Sequence, residues 1–281
     1  AIKMGVITAS ALNPAADITF VATPVLALVD QVKRALAETS GLVTDVGGVK
    51  AAVVAAIDDP RFVGGHPMAG SELDGLEGAD GSMFTGAVWV LTPSASTADT
   101  TFSSVAAVVA ELGADVVALP ADQHDLTVAV ISHVPHLTAA TLMGLASDRA
   151  EEHASLLRLA AGGFRDMTRI AASNVPMWSD ILTAKAGPVA DVLDGVVEDL
   201  QRTVEALRRL EQQDEAERGA EDVVGVLRTG VEGQSRIPGK HGAAPSAGDC
   251  KARRGCPAGM TECGARASRS TYLSPLAPGS R

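Results

Sequence analysis

Residues 17–24 read Asp-Ile-Thr-Phe-Val-Ala-Thr-Pro, and this short β-rich run, closed by a proline, predicts a buried strand. Apolar residues then recur at helical spacing over 25–38, and Gly41 ends that pattern. A second unit repeats the order, with a strand at 42–44 and a helix that runs to Ala56. Strands that alternate with helices predict a mostly parallel α/β sheet.

The pattern changes from α/β to all-α near the middle of the chain. Before that point, further strands are predicted at 62–63, 87–91 and 115–119, and a helix at 100–112. From Pro120 helical periodicity dominates through Leu210, and 188–210 is typical of one long amphipathic helix. The last segment, 230–281, turns basic and rich in Gly, Ala, Ser and Pro, so we predict a linker and a disordered tail there.

Composition and charge argue against several classes of protein. The net charge of −11 argues against nucleic acid as a partner, since a basic face is expected for that role. No apolar run reaches the roughly 18 residues that span a bilayer, and no signal peptide is visible, so we expect a cytoplasmic protein with no membrane partner. The cysteines Cys250, Cys256 and Cys263 fit no common zinc spacing and are interpreted as incidental.

A histidine that follows a predicted strand is the most informative motif for function. Residues 64–72 read Gly-Gly-His-Pro-Met-Ala-Gly-Ser-Glu, directly after the run 61–63. Pro67 holds His66 in extended geometry, and the glycines let backbone approach a ligand closely. An imidazole titrates near physiological pH, as a general base requires. On its own, a His-Pro pair is more often part of a plain loop.

Two further histidines, His133 and His136, lie three residues apart and share one face if the segment is helical. The simplest interpretation is that backbone groups or water satisfy both rings. This spacing also suggests a metal site, but no third ligand lies nearby in the sequence, and we therefore expect no metal.

Five blocks of the sequence occur in one order that points to a known family. They are Val-Ala-Thr-Pro-Val (21–25), Thr-Asp-Val-Gly-Gly-Val-Lys (44–50), Gly-His-Pro-Met-Ala-Gly-Ser-Glu (65–72), Ser-His-Val-Pro-His (132–136) and Gly-Gly-Phe-Arg-Asp-Met-Thr-Arg-Ile-Ala (162–171). Each block alone is a weak signal, but together they resemble the prephenate/arogenate dehydrogenases of tyrosine biosynthesis. The resemblance implies an incomplete Rossmann-like dinucleotide-binding domain over 1–120 and a helical substrate and dimerisation domain over 121–229.

The resemblance also implies a reaction and the residues that perform it. Enzymes of this family oxidise a cyclohexadienol by hydride transfer to NAD or NADP, and the ring carboxylate leaves as carbon dioxide. By resemblance, His66 is the catalytic base and Arg169 binds the substrate carboxylate, as a guanidinium does through two parallel hydrogen bonds. The other residues implied in the substrate pocket are His136, Ser71, Glu72 and Gly48. The implied partners are prephenate or arogenate and a second copy of the chain, bound through the helical domain.

The chain departs from the family pattern in two places. Gly48 stands where the family commonly has a serine that helps to position the substrate alcohol, so we expect weaker activity or a shifted substrate preference. No Gly-x-Gly-x-x-Gly turn is found, and one βαβ opening of about 30 residues is expected to be absent, so the pyrophosphate should be held poorly. The cofactor contacts expected to remain, at the carboxyl ends of two strands, are Ala22, Thr23, Pro24, Thr44 and Asp45.

Two alternatives stay open. The first is a catalytically silent, truncated fragment that only dimerises through the helices of 121–210, and the missing glycine turn favours it. The second is a related β-hydroxyacid dehydrogenase, which shares the two-domain plan but does not need the His66 loop together with Arg169. The residues do not decide between NAD and NADP, or between prephenate and arogenate.

Overall fold

A five-stranded sheet forms the N-terminal half of the part of the chain that the structure describes. The computed structural model describes residues 11–70, 78–153 and 155–238, all within the compact unit Ala1–Ala243. The strands are β1 (Ile18–Val21), β2 (Leu42–Asp45), β3 (Phe62–Pro67), β4 (Val88–Thr92) and β5 (Asp115–Ala118). They pair in chain order, and among these strands only β3 and β4 are antiparallel to each other, which confirms the predicted mostly parallel α/β sheet.

Helices cover both faces of this sheet. The helices of this half are α1 (Leu28–Glu38), which follows a 3₁₀ turn at Val25–Ala27, α2 (Ala51–Ala56) and α3 (Asp99–Glu111). Successive residues of a strand point to opposite faces, and the core divides accordingly. Phe62 packs in a cluster with α1 and α2, whereas Val63 packs in a second cluster with α3.

The first helix forms where the sequence places apolar residues on one side. Leu28, Val32 and Ala35 recur at intervals of four and three residues, and all three are buried in the core of the sheet half. Pro24 lies between β1 and this helix, and it cannot extend the strand ladder because it lacks an N–H. The helix predicted over 25–38 is therefore confirmed, apart from its 3₁₀ first turn.

Helices form the second half of the described chain. They are α4 (Ala121–Val128), α5 (Val134–Glu152), α6 (Gly162–Thr168), α7 (Val175–Ala184), α8 (Ala186–Leu210) and α9 (Ala216–Gln234). A π-helical turn, Ala129–His133, joins α4 to α5, and a 3₁₀ turn, Arg169–Ala171, follows α6. Ala129, Val134 and Val189 form the core of this half, where α8 packs against the π-helical turn. The predicted all-α second part is confirmed.

The sequence predicted no apolar run long enough to span a membrane, but the α4–α5 segment is more apolar than that. By length and composition alone, Ala121–Glu152 is long and apolar enough to cross a membrane: it contains an 18-residue window with a mean hydropathy of 1.4, and 33% of that window is buried. In the fold, however, this segment packs against α8 and carries buried polar side chains, among them His124 and Asp125. One side of the segment therefore packs within the helical half, while Val130, Ile131 and Leu145 are exposed.

Several predicted features lie outside the described residues. Ser71 and Glu72 belong to the segment 71–77, and the three cysteines belong to 239–281 with nearly all of the predicted tail. Where the structure does describe the predicted linker, α9 continues to Gln234. Apolar residues that recur at helical spacing along α9 explain why the helix persists there.

Gly65 marks a close approach between β3 and β2. A Cβ atom at residue 65 would lie 2.5 Å from the backbone oxygen of Asp45 and 2.9 Å from Oγ1 of Thr44. A backbone oxygen at that distance cannot move aside without shifting its strand. Only glycine fits at this position.

Replacing Gly65 with alanine should therefore destabilise the fold by about 2 kcal/mol, since overpacking a core costs about 1–3 kcal/mol. The measurement is the free energy of unfolding from urea titration. Gly70→Ala is the matched control, because a Cβ atom at residue 70 meets nothing within 4 Å. Equal stability of the two variants would show that β2 and β3 are not held this closely.

Candidate active site

His66 lies near the end of β3, where the sheet meets the helical half. It pairs with Val90 of β4 and is half-buried. The predicted strand ended at residue 63, whereas β3 continues to Pro67 because β4 supplies an antiparallel neighbour. The imidazole is therefore held by a strand and not by a loop.

A chain of hydrogen bonds connects His66 to a buried carboxylate. Nδ1 of His66 lies 2.8 Å from Nε2 of His124, and Nδ1 of His124 lies 2.8 Å from Oδ1 of Asp125. His124 and Asp125 are consecutive residues of α4, and both are buried. The sheet and the helical half thus meet through a His66–His124–Asp125 chain.

Three more groups surround the Asp125 carboxylate. The backbone N–H of Lys50 donates to Oδ1 and that of Ala51 donates to Oδ2, each over 2.9 Å. The ammonium of Lys185, between α7 and α8, lies 2.9 Å from Oδ1. Burial alone would raise the pKa of Asp125, but the bond from His124, the charge of Lys185 and the backbone donors hold that pKa well below its ordinary value. The carboxylate is therefore ionised at neutral pH.

The ionised carboxylate determines which ring nitrogens carry protons. A carboxylate only accepts hydrogen bonds, so a neutral His124 carries its proton on Nδ1 and offers a lone pair at Nε2. His66 then donates from Nδ1, and its own Nε2 keeps a lone pair. Nε2 of His66 is consequently the atom that can take a proton from a bound molecule.

Burial keeps both imidazoles neutral at physiological pH. Desolvation lowers the pKa of His66 well below its ordinary value, and the proximity of His124 and of Lys50 adds to that effect. Burial also lowers the pKa of His124, and the nearby charge of Lys185 adds to that effect, although the hydrogen bond to Asp125 opposes the change. The neutral imidazole is the form in which a histidine acts as a general base.

Gly48 borders the reactive edge of the His66 ring. A Cβ atom at residue 48 would lie 3.5 Å from both Cε1 and Nε2 of His66, an ordinary van der Waals distance. The Cβ of a serine therefore fits here without displacing the ring, and glycine leaves the space beside Nε2 open. Glycine in place of the family's serine at residue 48 therefore removes a hydroxyl group from the wall of the site and leaves the fold unchanged.

A second buried ion pair holds the backbone after β2 against β3. The Lys50 ammonium pairs with the Asp45 carboxylate and donates to the backbone oxygen of Gly65 over 2.9 Å. Asp45 also accepts from the N–H groups of Gly47 and Gly65, at 2.9 and 3.2 Å. Both side chains are fully buried, and burial lowers the pKa of Lys50 despite the nearby carboxylate. This pair fixes the segment between β2 and α2 beside the His66 ring.

The two histidines singled out in the helical half both contact Trp178 of α7. The ring of His136 stacks on the indole at a centroid distance of 3.7 Å, and the ring of His133 meets it edge-on at 5.7 Å. Nε2 of His136 lies 3.2 Å from the hydroxyl oxygen of Ser173. His136, Ser173 and Trp178 line an open cavity of about 430 Å³ between α5 and α7. This cavity is the candidate ligand pocket of the helical half.

The π-helical turn brings His133 to the same side of its helix as His124. Nine positions separate the two residues, and at about 3.6 residues per turn an unbroken α-helix would place them on opposite faces. The wider turn at Ala129–His133 changes that phase. Burial, together with the nearby charge of Lys185, lowers the pKa of His133 to about 4.

The predicted substrate residues fall into two groups in the structure. Gly48 and His66 lie together at the sheet, whereas His136 lies on α5. Arg169 is exposed in the 3₁₀ turn that packs against α5. His66 is only half-buried and Arg169 is exposed, so a substrate can reach both side chains, as their predicted roles require. Within the described ranges, no three His, Cys, Asp or Glu side chains come together as metal ligands.

The predicted cofactor contacts lie at the carboxyl ends of β1 and β2, where open α/β sheets bind ligands. Ala22 and Pro24 are exposed, and Oγ1 of Thr23 is buried without a hydrogen-bond partner among the described residues. Such an orphaned hydroxyl is suited to a polar group of a ligand. Thr44 and Asp45 are fully buried, so β2 offers a cofactor no exposed side chain at these two positions.

Three residues of the site carried no recognised motif: His124, Asp125 and Lys185. The adjacent His-Asp pair was the available signal, since both residue types carry chemistry. Its partner His66 lies 58 residues away in the sequence, so only the fold reveals the contact. Lys185 gave no signal at all, because a lysine between two helices is ordinarily a solvated residue.

Both halves of the chain match known protein domains. The nucleotide-binding domain of prephenate dehydrogenase matches residues 2–118, and the dimerization domain of prephenate dehydrogenase matches residues 120–220. Prephenate dehydrogenase of Bacillus subtilis is 34% identical over 231 residues, which cover 77% of this chain and 61% of that protein. The chain spans between 48% and 61% of the length of the curated relatives that it matches.

Solved structures share the same two-part architecture. Prephenate dehydrogenase from Aquifex aeolicus, in complex with hydroxyphenyl propionate and NAD+, superposes with a TM-score of 0.67 at 30% identity over 76% of each chain. Arogenate dehydrogenase from Synechocystis superposes with a TM-score of 0.63 at 26% identity, over 76% of this chain and 79% of that one. These similarities confirm the Rossmann-like sheet domain followed by a helical domain.

The neutral, buried His133 ring should make stability depend on pH. Its pKa of about 4 lies below the ordinary value of 6.5, so the unfolded chain binds more protons between those values. The stability that the neutral ring contributes is present above pH 6.5 and is lost as the pH falls towards 4. At about 1.4 kcal/mol per pKa unit, this residue accounts for up to about 3 kcal/mol.

The measurement is the free energy of unfolding from urea titration at a series of pH values between about 7 and 4.5. His133→Phe keeps an aromatic ring against Trp178 but does not titrate, so its stability should fall less steeply than that of the wild type. His153→Phe, at an exposed histidine, is the control and should follow the wild-type slope. The same slope in all three proteins would show that His133 is not buried in its neutral form.

Proposed function

The chain belongs to the prephenate dehydrogenase family, and from that premise we propose that it catalyses the oxidative decarboxylation of prephenate or arogenate in tyrosine biosynthesis, with hydride transfer to NAD+ or NADP+. One observation supports this most directly. His66 presents a lone pair at Nε2 beside the open space at Gly48, and its other ring nitrogen is held by His124. A fixed, neutral imidazole beside room for a ligand is what removal of a hydroxyl proton requires.

In the proposed reaction, Nε2 of His66 takes the proton of the ring hydroxyl. As that O–H bond breaks, hydride leaves the carbinol carbon, and a bound nicotinamide dinucleotide supplies the acceptor. The bond from the ring to its carboxylate then breaks, carbon dioxide leaves, and the electron pair aromatises the ring to a phenolate that regains the proton from His66. Throughout, Nδ1 of His66 stays bonded to His124, and the Asp125 carboxylate stabilises the positive charge that the rings acquire.

We propose that the helical half binds the parts of the substrate other than the ring hydroxyl. Arg169 is the proposed partner of a substrate carboxylate, and its exposed turn packs against the helix that carries His136. His136 and Trp178, which line the cavity between α5 and α7, are proposed to contact the remainder of the acid. Ser71 and Glu72 keep the pocket role that the family resemblance implies.

The residues after β1 offer part of a nucleotide site. The orphaned Oγ1 of Thr23 and the exposed Ala22 and Pro24 are proposed contacts of NAD or NADP. At the end of β2, Thr44 and Asp45 keep the cofactor role predicted from their place at a strand end, and both residues are fully buried in the chain without a ligand. The unpartnered Thr23 hydroxyl is the feature that favours a ligand here.

A homodimer formed by the helical half is part of the proposal. The family segment that matches residues 120–220 is a dimerization domain. Large apolar side chains along α8 and α9 are exposed in the single chain, among them Leu200 at 55%, Leu207 at 50% and Leu227 at 64%. A second copy packed on these helices would remove that apolar surface from water.

The proposed organisation keeps the dinucleotide-binding domain at 1–120 and the substrate and dimerisation domain at 121–229. These limits follow the change from sheet to helices between β5 and α4. A cytoplasmic location is proposed for the enzyme, as expected for the synthesis of an amino acid from small soluble precursors.

The activity is tested by assaying the 281-residue chain with prephenate and with arogenate, each with NAD+ and with NADP+. We expect at least one pair to form reduced nicotinamide and carbon dioxide in equal amounts, because each turnover releases one of each. Calorimetric titration of both acids and both cofactors separates weak binding from absent chemistry. A dimer that binds acid and cofactor yet forms no reduced nicotinamide would contradict the proposal and favour the silent alternative.

Replacing His66 with asparagine should lower kcat by about 100-fold or more, since general-base catalysis contributes about 10²–10⁴-fold. The amide side chain does not take up a proton, and KM for the acid should change little because the carboxylate binds elsewhere. Steady-state kinetics measure both constants. His153→Asn, at an exposed histidine beyond α5, is the control and should keep the wild-type kcat. Near-normal turnover of the His66 variant would remove this residue from the role of base.

Replacing Arg169 with alanine should raise KM for prephenate by about tenfold or more, because a hydrogen bond between charged groups contributes about 1.5–3 kcal/mol. The effect on kcat should be smaller, since the guanidinium is not the proposed proton acceptor. Arg149→Ala is the matched control, at an exposed arginine of α5 that lies 4.0 Å from Glu152. An unchanged KM in the Arg169 variant would place the substrate carboxylate elsewhere.

A further inference from the structure

Lys185 is a buried cation outside the His66–His124–Asp125 chain. It is the residue between α7 and α8, and it is only 2% exposed. Its ammonium lies 2.9 Å from Oδ1 of Asp125, the oxygen that also accepts from Nδ1 of His124. Lysine is almost never buried unless it is paired, so its placement here points to a role for its charge.

The buried Asp125 carboxylate requires a positive charge beside it. An uncompensated charge in the interior is strongly destabilising, and two groups are placed to balance this one. The first is the Lys185 ammonium. The second is His124, which balances the carboxylate only if it takes a second proton and becomes an imidazolium. Because burial disfavours an imidazolium and Lys185 supplies the balancing charge, His124 remains neutral.

The charge state of His124 determines the direction of its bond to His66. A neutral His124 accepts from Nδ1–H of His66, which leaves Nε2 of His66 with a lone pair. An imidazolium at His124 would donate from Nε2 instead. His66 would then accept at Nδ1 and carry its own proton on Nε2, the atom that faces the space beside Gly48. In that arrangement it has no lone pair for a substrate proton.

We propose that Lys185 is a positioning residue for the reaction: its ammonium balances Asp125, keeps His124 as a hydrogen-bond acceptor and so leaves Nε2 of His66 free to act as the base. The kinetic part of this inference rests on the proposed function. The arrangement of protons does not, because it is a property of the chain without substrate.

Other titratable groups face the same imidazoles from neighbouring elements. Lys50, which precedes α2, lies near both His66 and His124, but its ammonium is paired with a carboxylate of its own. His133, from the π-helical turn, faces His66 as a neutral ring. Both groups stay in place when Lys185 is replaced. A change at His124 in such a variant therefore reports the loss of the Lys185 charge.

The kinetic test replaces Lys185 with methionine, which keeps an unbranched side chain and removes its charge. We expect the acidic limb of the kcat/KM profile with prephenate and NAD+ to move to higher pH by about one unit or more, since a nearby charge shifts a pKa by about 1–3 units. At neutral pH kcat should fall about tenfold and recover at alkaline pH, where His124 loses its extra proton. KM should stay within about twofold, and Lys185→Arg should restore the wild-type profile.

Lys33→Met, at an exposed lysine of α1, is the matched control and should leave the pH profile unchanged. A Lys185→Met enzyme in which kcat is reduced equally at every pH, with the acidic limb unmoved, would show that the lysine only supports the fold. That result would overturn the proposal.

A spectroscopic test does not need activity. Ring nitrogen chemical shifts of the histidines in the unliganded 281-residue chain, and in its Lys185→Met variant, report which nitrogens carry protons. At neutral pH we expect His124 and His66 of the wild type each to carry one proton, on Nδ1, and His124 of the variant to carry a second proton. A doubly protonated His124 in the wild type, or the same proton positions in both proteins, would overturn the inference even in an active dehydrogenase. The expected difference between the two proteins in a chain that shows no turnover would count against the proposed function and support the role of Lys185 in placing the protons.

Discussion

The Asp125 carboxylate accepts hydrogen bonds from two backbone N–H groups at the start of α2 and from His124 on its own helix, and Lys185 pairs with it from the α7–α8 junction. One buried anion therefore joins the sheet half to two separate parts of the helical half. Breaking such a buried pair costs about 3–5 kcal/mol, because the remaining charge is left uncompensated. The sheet and the helices thus share a buried polar centre around Asp125, and the hydrogen bonds within it hold the surrounding side chains in place.

That centre explains how an imidazole on a strand is held in one orientation. One ring nitrogen of His66 is hydrogen-bonded to His124 of α4. The Lys50–Asp45 ion pair holds the neighbouring backbone, and Gly65 lets β2 and β3 approach closely. Groups fixed in this way need little rearrangement when charge develops during a reaction. Burying polar residues costs free energy unless they are paired. Their pairing here gives each hydrogen bond of the site a defined direction.

Local patterns were sufficient to predict the fold and to single out part of the candidate site. The helix predicted over 100–112 forms at 99–111, since hydrophobic periodicity is visible in a short window. His66 was found for a similar reason, because glycines and a proline around a histidine also form a short motif. His124 and Lys185 carry no such signal, since they meet near His66 only when distant segments fold together. The length of β3 likewise depends on its partner strand and not on its own residues.

The π-helical turn Ala129–His133 has a consequence for how the protein tolerates changes in length. Such a turn holds one residue more than a regular α-helical turn, so the helix before it and the helix after it keep a rotational phase that regular winding does not produce. Regular winding of the same nine positions would turn His133 and His136 away from His124, because it puts His124 and His133 on opposite faces. Loss of one residue here would also allow regular winding, but the eight remaining positions would leave His124 and His133 about 80° apart and on the same side of the helix. The helix should therefore tolerate the loss of one residue at this turn better than regular winding at unchanged length.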